Sequence, residues 1–248
     1  MSGIRVFADG TAAALAAADL VAEALAPPDQ ALGLPTGRTM VPVYAEMVRR
    51  HVEAGLSFAE CDLFLLDEFM GLAPDHPRSF HGFLLRHLVE QTDADVDRVQ
   101  VPPSGASDGA MAEACVAFEA RIAASGGLDL ALLGIGTNGH VAFNEPGSTV
   151  DSRTRCVELA ADTREREGDV PRKAVTMGIA TLRAARRIVL LATGAEKAQA
   201  VHDALHGPVD PSCPASLLRN HPDVTFLLDG ASARFGDGAG REDTVQVE

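Results

Sequence analysis

The sequence predicts a doubly wound α/β fold, a mostly parallel, Rossmann-like sheet with helices on both faces. Two observations carry this. Short apolar runs alternate with helix-period segments along nearly the whole chain, and that alternation builds parallel sheets covered on both sides. The run at 128–133, apolar apart from Asp129, suits a strand buried on both faces. A length of 248 residues fits one such domain over 1–248 with a sizeable core.

Taken in order, 4–7 reads as a first strand, and an Ala-rich helix over 11–25 ends at Pro27-Pro28. A second strand at 31–34 runs into Pro35-Thr36-Gly37, and Val43, Met47 and Val48 mark one face of the next helix, to about 54. The third strand, 63–66, delivers Asp67-Glu68 at its end. A polar loop over 73–78 precedes Ser79, a helix cap for 80–89. Pro102-Pro103-Ser104-Gly105 is a turn, and Met111, Cys115, Phe118 and Ile122 form a core stripe on the following helix. After the strand at 128–133, the segment 151–173 is dense in charge and poor in apolar periodicity. It reads as a lid or as a solvated excursion. Strands at 175–177 and 188–192 flank a short helix near 180–185. Thr193-Gly194 opens a helix over 195–205, 224–228 is the last strand, and the tail from Gly236 looks frayed.

Composition narrows the function. With 35 acidic against 21 basic residues, the net charge of −14 argues against nucleic-acid and anionic-membrane partners. No apolar run is long enough to span a bilayer, and no signal-peptide pattern opens the chain. Cys61, Cys115, Cys156 and Cys213 lack CxxC spacing, so reduced cytoplasmic thiols without a metal site are expected. A cytoplasmic enzyme of small molecules fits best.

Chemistry concentrates after three strand ends. Past 128–133, Gly134 and Gly136 let the backbone turn close to a ligand, and Asn138, His140 and Glu145 follow at once. A histidine with a carboxylate five residues on can act as a proton-transfer pair. Pro35-Thr36-Gly37-Arg38-Thr39 offers backbone N–H groups and hydroxyls at a helix start, which suits a phosphate and equally suits plain capping. Adjacent Asp67 and Glu68 point to opposite faces of an extended segment and should not share a task. A helix cap and a solvent-facing acid is the plainer alternative for that pair.

The run GIGTNGHVAFNEPGS, with LGLPTGRT (32–39), LDEFMGL (66–72) followed by HPRSFHGF, and TGAEKA (193–198), resembles the glucosamine-6-phosphate deaminase (isomerase) family over about 6–229. The resemblance implies conversion of glucosamine 6-phosphate and water to fructose 6-phosphate and ammonia, with no metal or organic cofactor. It implies a sugar phosphate as partner, and it leaves a homo-oligomer open. By resemblance, Asp67 moves a proton between C2 and C1, which requires surroundings that raise its basicity; Glu68 is structural. His140 opens the pyranose ring and Glu145 orients it. Thr36, Gly37, Arg38, Thr39 and Lys197 hold the phosphate, with Gly136 lining the site. Arg166, then Arg164, are the candidates for the family's substrate-binding arginine.

The chain also departs from the family's pattern. Arg38 stands where a second glycine is usual, Asn138 where many members carry Asp, and the lid looks several residues short. The neutral Asn138 leaves one fewer carboxylate to support the imidazolium. Arg155 matches a residue that oligomeric members use for an allosteric phosphate, but Val157 replaces the neighbouring lysine. Galactosamine 6-phosphate or another sugar phosphate is the alternative substrate. A 6-phosphogluconolactonase is disfavoured by Asn144-Glu145-Pro146, and a non-catalytic sensor by the joint presence of Asp67, His140 and Glu145.

Overall fold

The computed structural model describes residues 3–107, 109–159, 163–165, 168, 170–234 and 246–247. Its centre is a parallel sheet. In spatial order the strands are β11 (Gln246–Val247), β1 (Gly3–Phe7), β10 (Val224–Asp229), β9 (Arg187–Ala192), β6 (Leu130–Gly134), β2 (Ala31–Leu34), β3 (Asp62–Leu65) and β5 (Val99–Gln100). Alternate side chains of each strand leave by opposite faces. Leu130 and Leu132 enter one core with Leu32, Leu34, Leu63 and Leu65, beneath α1 (Gly10–Ala24), α2 (Val41–Ala54) and α3 (Phe80–His87). Ala131 and Leu133 enter the other with Phe64, Leu190 and Phe226, beneath α4 (Met111–Ala124), α5 (Ile179–Arg183) and α6 (Ala198–His206). The two cores are the two windings of the fold.

Local chemistry sets the helix ends. Asp9 caps α1 by accepting from Ala12 N at 2.9 Å, and Ala13, Ala16, Ala17 and Val21 give the helix a low-relief buried face. Ser79 caps α3 through Gly82 N at 3.2 Å, as expected, but the α-helix stops at His87 and residues 89–91 tighten into a 3₁₀ turn.

Three expectations are corrected. The third strand does not carry Asp67-Glu68 at its end. The chain bends at Leu66, whose N–H donates to Leu34 O (3.2 Å) and whose carbonyl accepts from Met177 N (2.7 Å). It then enters β4 (Asp67–Phe69), the edge of a separate antiparallel sheet with β8 (Lys173–Thr176) and β7 (Arg155–Glu158). The strand expected at 175–177 is therefore β8, outside the parallel sheet. Residues 151–173 are not wholly irregular, since β7 lies within them and Leu159 is buried with Phe69, Phe143 and Ala174. Most of the tail from Gly236 lies outside the described residues. Beyond it, Gln246 and Val247 pair with Arg5 and Val6.

Chain connectivity diverges between β2, which leads on to β3, and β6, which leads on to β9. Ligand crevices form at the carboxyl ends of strands at such a switch point.

Candidate active site

A cavity of about 1070 Å³ opens at that crevice. Its walls come from the turns after β2 (Thr36, Gly37, Arg38, Thr39), β6 (Gly136, Thr137, His140) and β9 (Thr193, Lys197) and from Asp67 at the start of β4, with Phe80 and Phe143 beside them. Residues far apart in sequence thus meet because consecutive strands end side by side.

The turn 136–140 folds on itself, with Gly136 N donating to His140 O at 2.8 Å and Gly139 N to Gly136 O at 3.0 Å. A Cβ on Gly136 would lie 2.2 Å from His140 Cε1, so only glycine lets the ring pack against the strand end. Asn138 Oδ1 lies 2.7 Å from His140 Nδ1 and accepts from the His140 N–H at 3.2 Å. The Asn138 Nδ2 donates to Glu145 Oε2 at 2.7 Å. This orientation of the amide is the one that matches a carboxylate on one side and an N–H on the other. Because an amide oxygen only accepts, Nδ1 carries the ring proton and the neutral ring keeps its lone pair on Nε2.

Glu145 itself stands 3.6 Å from His140 Nδ1, an ion-pair distance, so it orients the ring chiefly through Asn138. The Thr163 hydroxyl donates to the other oxygen of Glu145. Burial alone would raise the Glu145 carboxyl, but the His140 ring, the Thr163 hydroxyl and the Asn138 amide outweigh it and hold the carboxyl at about 2. Asn138 is therefore the bridge of the trio.

Asp67 and Glu68 are both buried, which rules out the solvent-facing alternative for the pair. Asp67 lines the cavity. Glu68 turns away to the start of α3, accepting from Phe69 N (2.9 Å), Phe80 N (3.1 Å), His81 N (2.8 Å) and Ser79 Oγ (2.9 Å). An anion there satisfies otherwise orphaned N–H groups and sits at the positive end of the helix dipole. Glu68→Ala strands these donors and should cost about 3 kcal/mol, or roughly 6–12 °C in melting temperature. Thermal unfolding followed by circular dichroism checks this.

The small antiparallel sheet aligns base and loop. Thr176 pairs in register with Asp67, and its hydroxyl accepts from Phe143 N at 3.1 Å. Fully buried Asn144 donates to Val141 O (2.9 Å) and Met177 O (2.8 Å), fixing a turn in which Ala142 takes a φ of 49°.

At the opposite end of the cavity, Gly37, with a φ of 105°, starts the 3₁₀ turn Arg38–Met40 that leads into α2. The buried Tyr44 hydroxyl donates to Pro35 O and holds this turn, a contact the sequence did not reveal. Gly194 N is held by Asp229 at 3.1 Å, placing the turn that carries Lys197 against the same space. Gly10 and Thr11 of α1, also unforeseen, complete that wall.

Arg164 is half-buried, with its Nε enclosed and making no hydrogen bond among the described residues. It does not line the cavity. Arg166 lies outside the described residues. Arg155 is half-buried and donates to Asn144 Oδ1 (2.9 Å) and Ser148 Oγ (3.1 Å), on the wall of a second hollow of about 580 Å³ behind Glu145. Among the described residues, no group of three or more His, Cys, Asp or Glu could hold a metal ion, and no helix is long and apolar enough to cross a membrane.

The family model "Glucosamine-6-phosphate isomerases/6-phosphogluconolactonase" matches residues 8–227. A glucosamine-6-phosphate deaminase of Rhodopirellula baltica is 45% identical over 234 residues, covering 92% of each chain. One from Arthrobacter sp. strain FB24 is 46% identical, covering 83% of this chain and 81% of its own. Among solved structures, a monomeric glucosamine-6-phosphate deaminase superposes with a TM-score of 0.89 at 36% identity, over 94% of this chain and 99% of the other. The 6-phosphogluconolactonase of Trypanosoma brucei shares the fold, with a TM-score of 0.78 at 23% identity, over 94% and 98% of the two chains.

Proposed function

The chain belongs to the glucosamine-6-phosphate isomerase/6-phosphogluconolactonase family, and from that premise we propose that it converts glucosamine 6-phosphate and water to fructose 6-phosphate and ammonia in the cytoplasm. The observation that carries this reading is the convergence of Asp67, His140 and the turns at Thr36–Thr39 and Lys197 on one cavity.

The phosphate lies at the end formed by Thr36, Gly37, Arg38, Thr39 and Lys197, where backbone N–H groups at a helix start and two cations favour an anion. His140 Nε2 takes the proton of the anomeric hydroxyl and returns one to the ring oxygen, which opens the pyranose. The resulting imidazolium is stabilised by Asn138 and Glu145. Asp67 then removes the C2 proton of the open aldehyde. The electron pair moves into the C1–C2 bond, the carbonyl oxygen is protonated, and an enolamine forms. Return of the proton to C1 leaves a C2 iminium, and water adds there to expel ammonia and leave the ketone. The place of Asp67 on the cavity wall, enclosed from bulk solvent, favours this role, because a base there meets the substrate without competition from water. Ammonia release from glucosamine 6-phosphate, without hydrolysis of 6-phosphogluconolactone, is the test.

The second hollow suits an activator phosphate poorly. Arg155 is engaged by Asn144 and Ser148, Val157 adds no charge, and Asp151 and Glu158 bring carboxylates to its wall. An N-acetylated amino-sugar phosphate is therefore expected to leave the rate unchanged. Initial-rate assays with and without it, at substrate well below saturation, would show any activation as a clear increase.

A further inference from the structure

We propose that Thr163 is a positioning residue for this reaction, its hydroxyl fixing the plane of the Glu145 carboxylate and so tying its own turn to the Asn138–His140 pair. The inference rests on the proposed deaminase reading for its kinetics, but not for its structural half.

The last torsion of a glutamate side chain has no sharp rotamer well, so the plane of its carboxylate is set by hydrogen bonds. Each Glu145 oxygen is held from a different part of the chain, Oε2 by the Asn138 amide at 2.7 Å and Oε1 by the Thr163 hydroxyl. Glu145 and Thr163 are 18 residues apart in sequence. Thr163 is buried, with 2% of its surface exposed, so water is a poor substitute for its hydroxyl. Described residues before and after Thr163 pack beside the site. Leu159 N donates to Arg172 O and Gly168 N to Arg164 O, each at 2.9 Å, while Leu159 and Val170 pack in the Phe69–Phe143 cluster. Phe143 also walls the cavity. A shift of Thr163 therefore moves the hydroxyl, turns the carboxylate and displaces the amide that holds His140. Removal of the hydroxyl leaves Oε1 without that donor and frees the carboxylate to rotate, which spoils the Asn138 bridge more than the binding of the distant phosphate.

Three variants test this. Thr163→Val keeps the shape and loses the donor, Thr163→Ser keeps the donor and loses the methyl, and Thr163→Ala serves if the valine variant does not fold. The expected result is a fall of about tenfold in kcat for Thr163→Val with KM within twofold. Thr163→Ser should stay within twofold of wild type on both. Hydrogen–deuterium exchange of the free protein should show faster exchange at 136–145 and 163–170 together in Thr163→Val, and in neither in Thr163→Ser. An unchanged kcat in the donor-less variant, a serine variant as impaired as the valine one, or faster exchange confined to 163–170 overturns the proposal. If wild type releases no ammonia, the deaminase reading fails, and the exchange data still decide the coupling by themselves.

Discussion

Asp67→Asn is expected to lower ammonia release from glucosamine 6-phosphate by about 10³-fold, within the range that general-base catalysis supplies, with little change in substrate affinity. Asp67 and Glu196 are the acidic residues that line the cavity, and Glu196 lies beside Lys197 at the phosphate end. In the proposed mechanism that leaves Asp67 as the carboxylate beside the reacting carbons. Asparagine is nearly isosteric, so β4 and its register with β8 should persist, but an amide cannot accept the C2 proton. Turnover in deuterated water separates base from scaffold. Wild type should place deuterium at C1 of the ketose to the extent that the proton held by Asp67 exchanges with solvent, and in the variant both C2 proton exchange and ammonia release should fall together. A variant within tenfold of wild type would move the base elsewhere in the cavity.

His140→Asn should lower kcat by about 10²-fold, toward a rate set by the open-chain substrate already present in solution. The ring is held at Nδ1 by Asn138 and backed by Glu145, and in the proposed mechanism Nε2 exchanges protons between the anomeric hydroxyl and the ring oxygen. The replacement removes the proton carrier and leaves Gly136, the phosphate turns and Asp67 in place. Binding of the open-chain alditol phosphate of the same amino sugar, which needs no ring opening, should therefore stay within twofold. Equal losses in its binding and in kcat would show that His140 shapes the pocket instead of moving protons.

Features that depend on neighbouring residues were legible from the chain alone. The strands β2, β3, β6, β9 and β10 of the parallel sheet announce themselves as short apolar runs because both faces are buried. The turns at 35–39 and 134–140 are marked by glycines that the backbone geometry requires. The antiparallel sheet was hidden for the opposite reason. Its strands are three or four residues long, and Glu68 pairs with Val175, more than a hundred positions away. No local periodicity encodes such a pairing.

The site divides the same way. Asp67 and Glu68 were separable by the alternation of an extended segment, and they do face different tasks, the cavity and the start of α3. The place of Asn138 was not foreseeable as a bridge, because it depends on how the turn brings Glu145 back within 2.7 Å of its amide. Thr163 carries no signal of its own beside Arg164, since arginines, with their long charged side chains, are the usual phosphate ligands. Its partner, Glu145, lies 18 positions earlier, and no local pattern encodes that pairing.

One measurement bears most directly on the central claim: ammonia and ketose 6-phosphate quantified together as the wild-type protein consumes glucosamine 6-phosphate, with galactosamine 6-phosphate run in parallel. The account predicts equimolar ammonia and fructose 6-phosphate from the gluco epimer. Product from the galacto epimer alone would contradict the substrate, and no ammonia from either would contradict the reaction itself.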